Sequence, residues 1–130
     1  MTPQQMKERT KRFALDVIDL IESFPNTTTG RTIGGQLIRC ATSVGANYRA
    51  ACRARSPADF ISKIGIVEEE ADESAWWLEL AMERRLQPEA SIRQLFKEAE
   101  ELTAIVTAAG RTAKRNFRTK SAIQNPKSEM

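Results

Sequence analysis

Three runs of cationic side chains are the residues of this sequence best suited to chemistry. They are Lys7, Arg9, Lys11 and Arg12; then Arg49, Arg53 and Arg55; then Arg111, Lys114, Arg115, Arg118 and Lys120. Guanidinium forks hold phosphate oxygens in pairs, and several cations on one surface attract a polyanion by releasing its counterions. RNA or DNA backbone is therefore the candidate ligand. The competing reading is that cations at the ends of helices only complement helix dipoles and keep the protein soluble. No base-reading module accompanies the runs, and only Tyr48 and Phe117 supply aromatic rings among them.

Other chemistry is excluded residue by residue. The sequence has 0 histidines, which removes Ser-His-Asp and Cys-His catalysis and imidazole metal sites. The run Glu68-Glu69-Glu70-Ala71-Asp72-Glu73 would place carboxylates on one helical face. A di-iron bundle needs Glu-x-x-His motifs to complete such a set, so neither a metal nor a cofactor is expected. Cys40 and Cys52 fall in one helical segment, separated by about 18 Å of axial rise, and so are expected as free thiols. Gly34-Gly35 lacks a following Gly-Lys-Ser/Thr and is no phosphate loop. The expectation is a protein that is not an enzyme.

The elements that carry the cations follow from periodicity. A chain of 130 residues, 41% hydrophobic and 28% charged, has room for one domain with one core. No run of about 18 apolar residues occurs and residues 1–12 are polar, so neither a membrane span nor a secretory signal is expected and the location is read as cytoplasmic. Breaks at 25–30, Ser56-Pro57 and Gln87-Pro88 leave four segments. Apolar or small residues recur at three- and four-residue spacing in each: Phe13, Val17, Leu20, Ile21 and Phe24; Ile33, Leu37, Ala41, Val44, Tyr48 and Ala51; Phe60, Ile64, Val67, Ala71, Ser74, Leu78 and Ala81; Ile92, Leu95, Phe96, Ala99, Leu102, Val106 and Ala109. Strand patterning is absent. Short loops between long helices predict an all-α, antiparallel up-down-up-down four-helix bundle over residues 1–118, with a polar, disordered tail at 119–130.

Charge is unevenly spread. Residues 1–55 hold nine basic and four acidic side chains, 56–105 five and twelve, and 106–130 six and one. In an up-down bundle the start of the first helix and the ends of the second and fourth lie at one pole, which would gather the three cationic runs. On the second helix Arg31, Arg39, Arg49 and Arg53 fall within an arc of about 80°. The third helix carries apolar residues on a second side: Trp76 lies about 180° from its core stripe, with Ile66, Trp77 and Leu80 beside it. Exposed tryptophan of this kind predicts a subunit interface, unless the C-terminal tail folds over the patch. Glu69 and Glu73 share that arc and would meet arginines of a neighbouring copy, with Arg39 the candidate partner.

The stretch Gln36-Leu37-Ile38-Arg39-Cys40-Ala41-Thr42-Ser43-Val44-Gly45-Ala46-Asn47-Tyr48, followed by Arg55-Ser56-Pro57 with Phe60, by Glu68-Glu69-Glu70-Ala71-Asp72-Glu73 and by Trp77-Leu78-Glu79-Leu80, resembles the bacterial four-helix bundle protein family. That family includes proteins encoded in intervening sequences of large-subunit ribosomal RNA genes and is similar to the accessory protein of diversity-generating retroelements. The resemblance spans roughly residues 6–115. It implies a small antiparallel bundle that assembles as a homopentamer around a channel, a nucleic-acid-binding role and no enzymatic activity. Arg39, Ser43, Asn47 and Glu73 match polar positions of the family pattern. Many members have Ala-Glu-Gly where this chain has Arg49-Ala50-Ala51, and Gly-Ser where it has Glu69-Glu70. The combined reading is a ring-forming homo-oligomer whose Lys11, Arg12, Arg39, Arg49, Arg53, Arg55, Arg111, Lys114, Arg115 and Arg118 contact nucleic acid. The alternative is an adaptor whose charged faces dock a protein partner.

Overall fold

Two of the three breaks in the sequence supply a side-chain cap for the helix that follows. The computed structural model describes residues 1–124 and contains α1 (Pro3–Glu22), α2 (Thr28–Cys52), α3 (Pro57–Glu83) and α4 (Glu89–Gln124). Thr2 caps α1 in a reciprocal pair with Gln5, and the side chains of Thr27 and Ser56 accept from Gly30 and Asp59 to start α2 and α3. Pro57 and Asp59 occupy the first turn of α3, where a missing N–H and a negative charge both suit the helix. No strand occurs among the described residues.

The first helix begins within the expected residues 1–118, and the last extends past them. The polar start of the chain is already helical from Pro3, and Met6 and Thr10 continue the buried stripe of α1. Thr10 is tolerated there because its hydroxyl donates to the carbonyls of Met6 (3.0 Å) and Lys7 (3.1 Å). At the other end α4 continues to Gln124, so residues 119–124 are helical and not a disordered tail. From 111 to 125 the sequence contains neither glycine nor proline, and its alanines, arginines and lysines favour the helix. The rest of the expected tail, residues 125–130, lies outside the described residues.

Close contacts between the helices run in opposite directions. A Cβ on Gly34 would meet Ile21 Cγ2 at 3.1 Å, while one on Gly45 would meet Thr10 Oγ1 at 3.4 Å, so α2 descends as α1 ascends. Ser74 donates to Cys40 Sγ at 3.3 Å between α3 and α2, and Tyr48 and Cys52 lie level with Pro57 and Phe60. A Cβ on Gly110 would meet Ile64 Cγ2 at 3.3 Å between α4 and α3, and Phe96 lies level with Trp76 at the other end. Neighbouring pairs are α1 with α2, α2 with α3, α3 with α4 and α4 with α1, which leaves α1 and α3 on one diagonal. Phe13, Val17, Leu37, Val44, Ile64, Val67, Leu78, Ile92, Leu102 and Val106 fill the centre, and all are buried.

The turn after α3 closes with the N–H of Leu86 on the carbonyl of Ala81 (3.0 Å) and that of Arg85 on Met82 (3.1 Å), the paired bonds of a Schellman end. Arg85 holds φ 54 there, a left-handed conformation that a side chain resists. Arg85→Gly is therefore expected to raise stability by about 0.5–1 kcal/mol. Gly30→Ala should do the reverse, because its Cβ would sit 2.1 Å from the Pro25 carbonyl oxygen, a backbone clash worth about 1–3 kcal/mol. Thermal unfolding of the two variants should shift in opposite directions; a shift of the same sign would contradict this account of both turns.

Candidate nucleic-acid interface

The C-terminal end of α2 and the first turns of α3 enclose a cleft of about 500 Å³ lined by Ala46, Arg49, Ala50, Arg53, Arg55, Asp59 and Lys63. Lys63 donates to Asp59 at 2.7 Å, and this contact holds the Asp59 carboxyl below the ordinary carboxylate range. The three arginines are exposed and, among the described residues, in no ion pair. On the other flank of α3 a smaller cleft of about 170 Å³ is lined by Ile61, Ile64, Gly65, Glu68, Thr107, Gly110, Arg111 and Lys114. Arg115 and Arg118 continue the exposed outer side of α4 from there. The cations of α2 and α4 thus flank one helix, α3, at one end of the bundle. Lys63 was missed in the sequence reading; its place opposite Arg49 and Arg53 depends on how α3 is rotated against α2.

Two parts of the expected cluster are placed elsewhere. Lys11 and Arg12 are on α1, diagonal to α3, and midway along its length, so they share neither these clefts nor the end of the bundle that holds them; Arg12 also lies 3.8 Å from Asp16. Arg9 is bound to α4, its Nε donating to Glu98 at 2.8 Å and its Nη2 to Glu98 and Glu101 at 2.6 Å each. The hydrogen bonds to Glu98 raise its pKa further. Arg39 lies in the middle of α2, about 15 Å of rise from Arg49, and pairs with Glu70 at 3.3 Å and with Glu73 of the same chain. Arg39, expected among the nucleic-acid contacts and as a partner for carboxylates of a neighbouring copy, is thus apart from the α2–α3 cleft and engaged by Glu70 and Glu73 of its own chain. Glu73 also accepts from Trp77 Nε1 at 3.4 Å. Ser43 and Asn47 donate to carbonyls one turn back, at 2.8 and 2.9 Å.

The outer side of α3 carries the second candidate surface. Trp76 is 53% exposed and Ile66 39% exposed; Glu69 is exposed, and Trp77 and Leu80 are partly buried. Trp76 and Phe96 line a groove of about 320 Å³ between α3 and α4, together with Asp72, Ala75, Glu79, Glu100 and Thr103. Among the described residues no group of His, Cys, Asp or Glu could hold a metal ion, and no helix is long and apolar enough to cross a membrane.

The family model for the 23S rRNA-intervening sequence protein matches residues 3–108, which takes in α1, α2, α3 and α4 as far as residue 108. The chain belongs to that family. It is also similar to a crystal structure from Bacteroides thetaiotaomicron VPI-5482, described as a protein with unknown function from the S23 ribosomal protein family. The TM-score is 0.78 at 28% identity, over 85% of this chain and 99% of that one. No curated protein matches the sequence. The matched region ends at residue 108, so Arg111, Lys114, Arg115 and Arg118 lie beyond what this family pattern describes.

In this family member a third crevice, lined by Pro3, Tyr48, Ala51, Cys52, Ala54, Arg55, Ser56, Pro57 and Phe60, underlies the arginine cleft. Burial, with Cys52 beside it, pushes the Tyr48 phenol up to about 12. Cys40 is buried and Cys52 half-buried, both as free thiols; burial pushes the Cys40 thiol up, against a hydrogen bond from Ser74. Tyr48 is the single tyrosine, so its absorbance titration should have a midpoint near 12. A phenol raised in the folded state leaves stability intact below about pH 10, where the unfolded phenol ionises. Stability should then fall as pH rises through about 12. A midpoint at the ordinary tyrosine value would contradict the packing described for this crevice.

Proposed function

We propose that this chain is a non-enzymatic, cytoplasmic, oligomeric accessory protein that binds the backbone of RNA or DNA at the cationic end of its bundle. The observation that carries the reading is the convergence of Arg49, Arg53 and Arg55 with Lys63 on one flank of α3, and of Arg111 and Lys114 on the other. Apart from Lys63, which is half-buried and paired with Asp59, these are exposed guanidinium and ammonium groups outside the ion pairs of the described residues, and such groups on adjoining helices bind phosphates without reading bases. Affinity is then sequence-tolerant and falls steeply with salt. The family's connection with 23S rRNA intervening sequences is consistent with this class of ligand.

Self-association is proposed through the outer face of α3, centred on Trp76, Ile66 and Leu80, with the resemblance to ring-forming bundles pointing to a pentamer. A half-exposed tryptophan with part-exposed Leu80 one turn on, and Ile66 exposed about 15 Å back along the same helix, supports an interface better than a solvated surface. Repetition around a ring multiplies modest affinities at each subunit into avidity.

Two measurements test these parts separately. Binding of DNA duplex across a salt series should show a log–log slope that drops by about 2–3 when Arg49, Arg53 and Arg55 are replaced by glutamine, since each phosphate contact contributes about 0.9. Arg39→Gln, which removes a cation already paired with Glu70 and Glu73, should leave the slope unchanged. Equal slopes for the triple variant and the parent would remove those arginines from the site. Trp76→Glu should lower the mass measured by light scattering while leaving helical circular dichroism intact; an unchanged mass would remove the α3 face as an interface.

A further inference from the structure

We infer that the first turns of α3 form a ridge that enters the wide groove of a nucleic-acid duplex, with the cations of α2 and α4 on the phosphate strands bordering it. The inference rests on the proposed binding at the cationic end and specifies what is bound there: a double-stranded rather than a single-stranded polyanion. Its basis is the position of α3 between the two clefts. Arg49, Arg53 and Lys63 line one side of it, and Arg111 and Lys114 line the other. A ligand that engages both rows has to straddle α3.

The side chains on the straddled surface are small. Ala58 and Ser62 are exposed, and a Cβ built on Gly65 meets nothing within 4 Å. At 100° per residue Ala58, Ser62 and Gly65 fall on the side of α3 opposite its buried stripe. A corner helix with such a surface presents a narrow profile, close to that of a bare helix. The major groove of B-form DNA is about 12 Å wide and admits an α-helix. The shallow minor groove of A-form RNA offers a comparable opening. Adjacent helix axes lie about 8–10 Å apart, so cations on α2 and α4 flank α3 on the scale of the phosphates that border such a groove. A single strand has one line of phosphates and satisfies only one of the rows. Glu69, exposed one turn beyond Gly65, limits the contact, because its carboxylate repels phosphate. Of Ala58, Ser62 and Gly65 only Ser62 carries a polar side chain, and its hydroxyl, which both donates and accepts, selects no particular base edge, which fits sequence-tolerant binding.

The test compares a DNA duplex, an RNA duplex and oligo-dT of equal length, binding to the full chain and to Gly65→Trp and Ser62→Glu. Gly65 faces open space and Ser62 is exposed, so both variants should keep the parent's circular dichroism and mass. The parent should bind at least one duplex more tightly than oligo-dT, and the preferred duplex identifies the groove. Each variant should weaken duplex binding by about tenfold and leave oligo-dT within about twofold. A parent that prefers oligo-dT, or variants that bind duplex as the parent does, would overturn the ridge while leaving the cationic site standing. Equal loss of duplex and oligo-dT in the variants would overturn it as well. No binding of any of the three by the parent would remove the ridge and the underlying reading together.

Discussion

The register between neighbouring helices is the constraint on which the rest depends. Small residues let the backbones approach where Gly45 faces Thr10 and Gly110 faces Ile64. The buried hydrogen bond from Ser74 to Cys40 pins α3 against α2. Interiors are packed without slack, so a slide of one turn would bring side chains into these close approaches. With the register set, the ends of α2 and α4 must lie beside the start of α3, although their cations are separated by some sixty positions in the chain. Nothing local to Arg49 or to Arg111 brings them together.

Charge is then divided by use. Arg9 joins α1 to α4 through Glu98 and Glu101, and Arg39 joins α2 to α3 through Glu70 and Glu73. These pairs are partly solvated, so each contributes on the order of 0–1 kcal/mol, and their geometry bears more on helix orientation than on stability. What remains unpaired among the cations of α2 and α4 is concentrated at one end. Along α3 the first turns are small-faced and flanked by cations, whereas the later turns carry Ile66, Trp76, Trp77 and Leu80. One helix thus separates the proposed ligand surface from the proposed subunit surface.

Much of this organisation was readable from the residues. The breaks at 25–30, Ser56-Pro57 and Gln87-Pro88 and the three- and four-residue apolar spacing account for four helices, and short loops account for their antiparallel order. The two-sided character of α3 was equally visible in the placement of Trp76 opposite Leu78. Arg39 was misread because its arc on α2 is also that of Arg49 and Arg53, and a helical wheel says nothing about which carboxylates a neighbour supplies. Lys11 and Arg12 fall midway along α1 and diagonal to α3, since a run of like charges shows neither how much helix precedes it nor which neighbour it faces. Lys63 was overlooked since a single lysine in an acidic segment carries no pattern of its own. The helical stretch at 119–124 was masked by its polarity, which says where a helix is solvated and not where it stops.

Hydrogen–deuterium exchange of the full chain with and without nucleic-acid duplex tests the central claim most directly, because it reports position along all four helices at once. The account anticipates slowed exchange in peptides covering residues 49–65 and 107–118, with no change across the loop between α1 and α2 or that between α3 and α4. Slowed exchange at those distant loops, or at one flank of α3 without the other, would contradict the convergence of cations from which the functional reading is built.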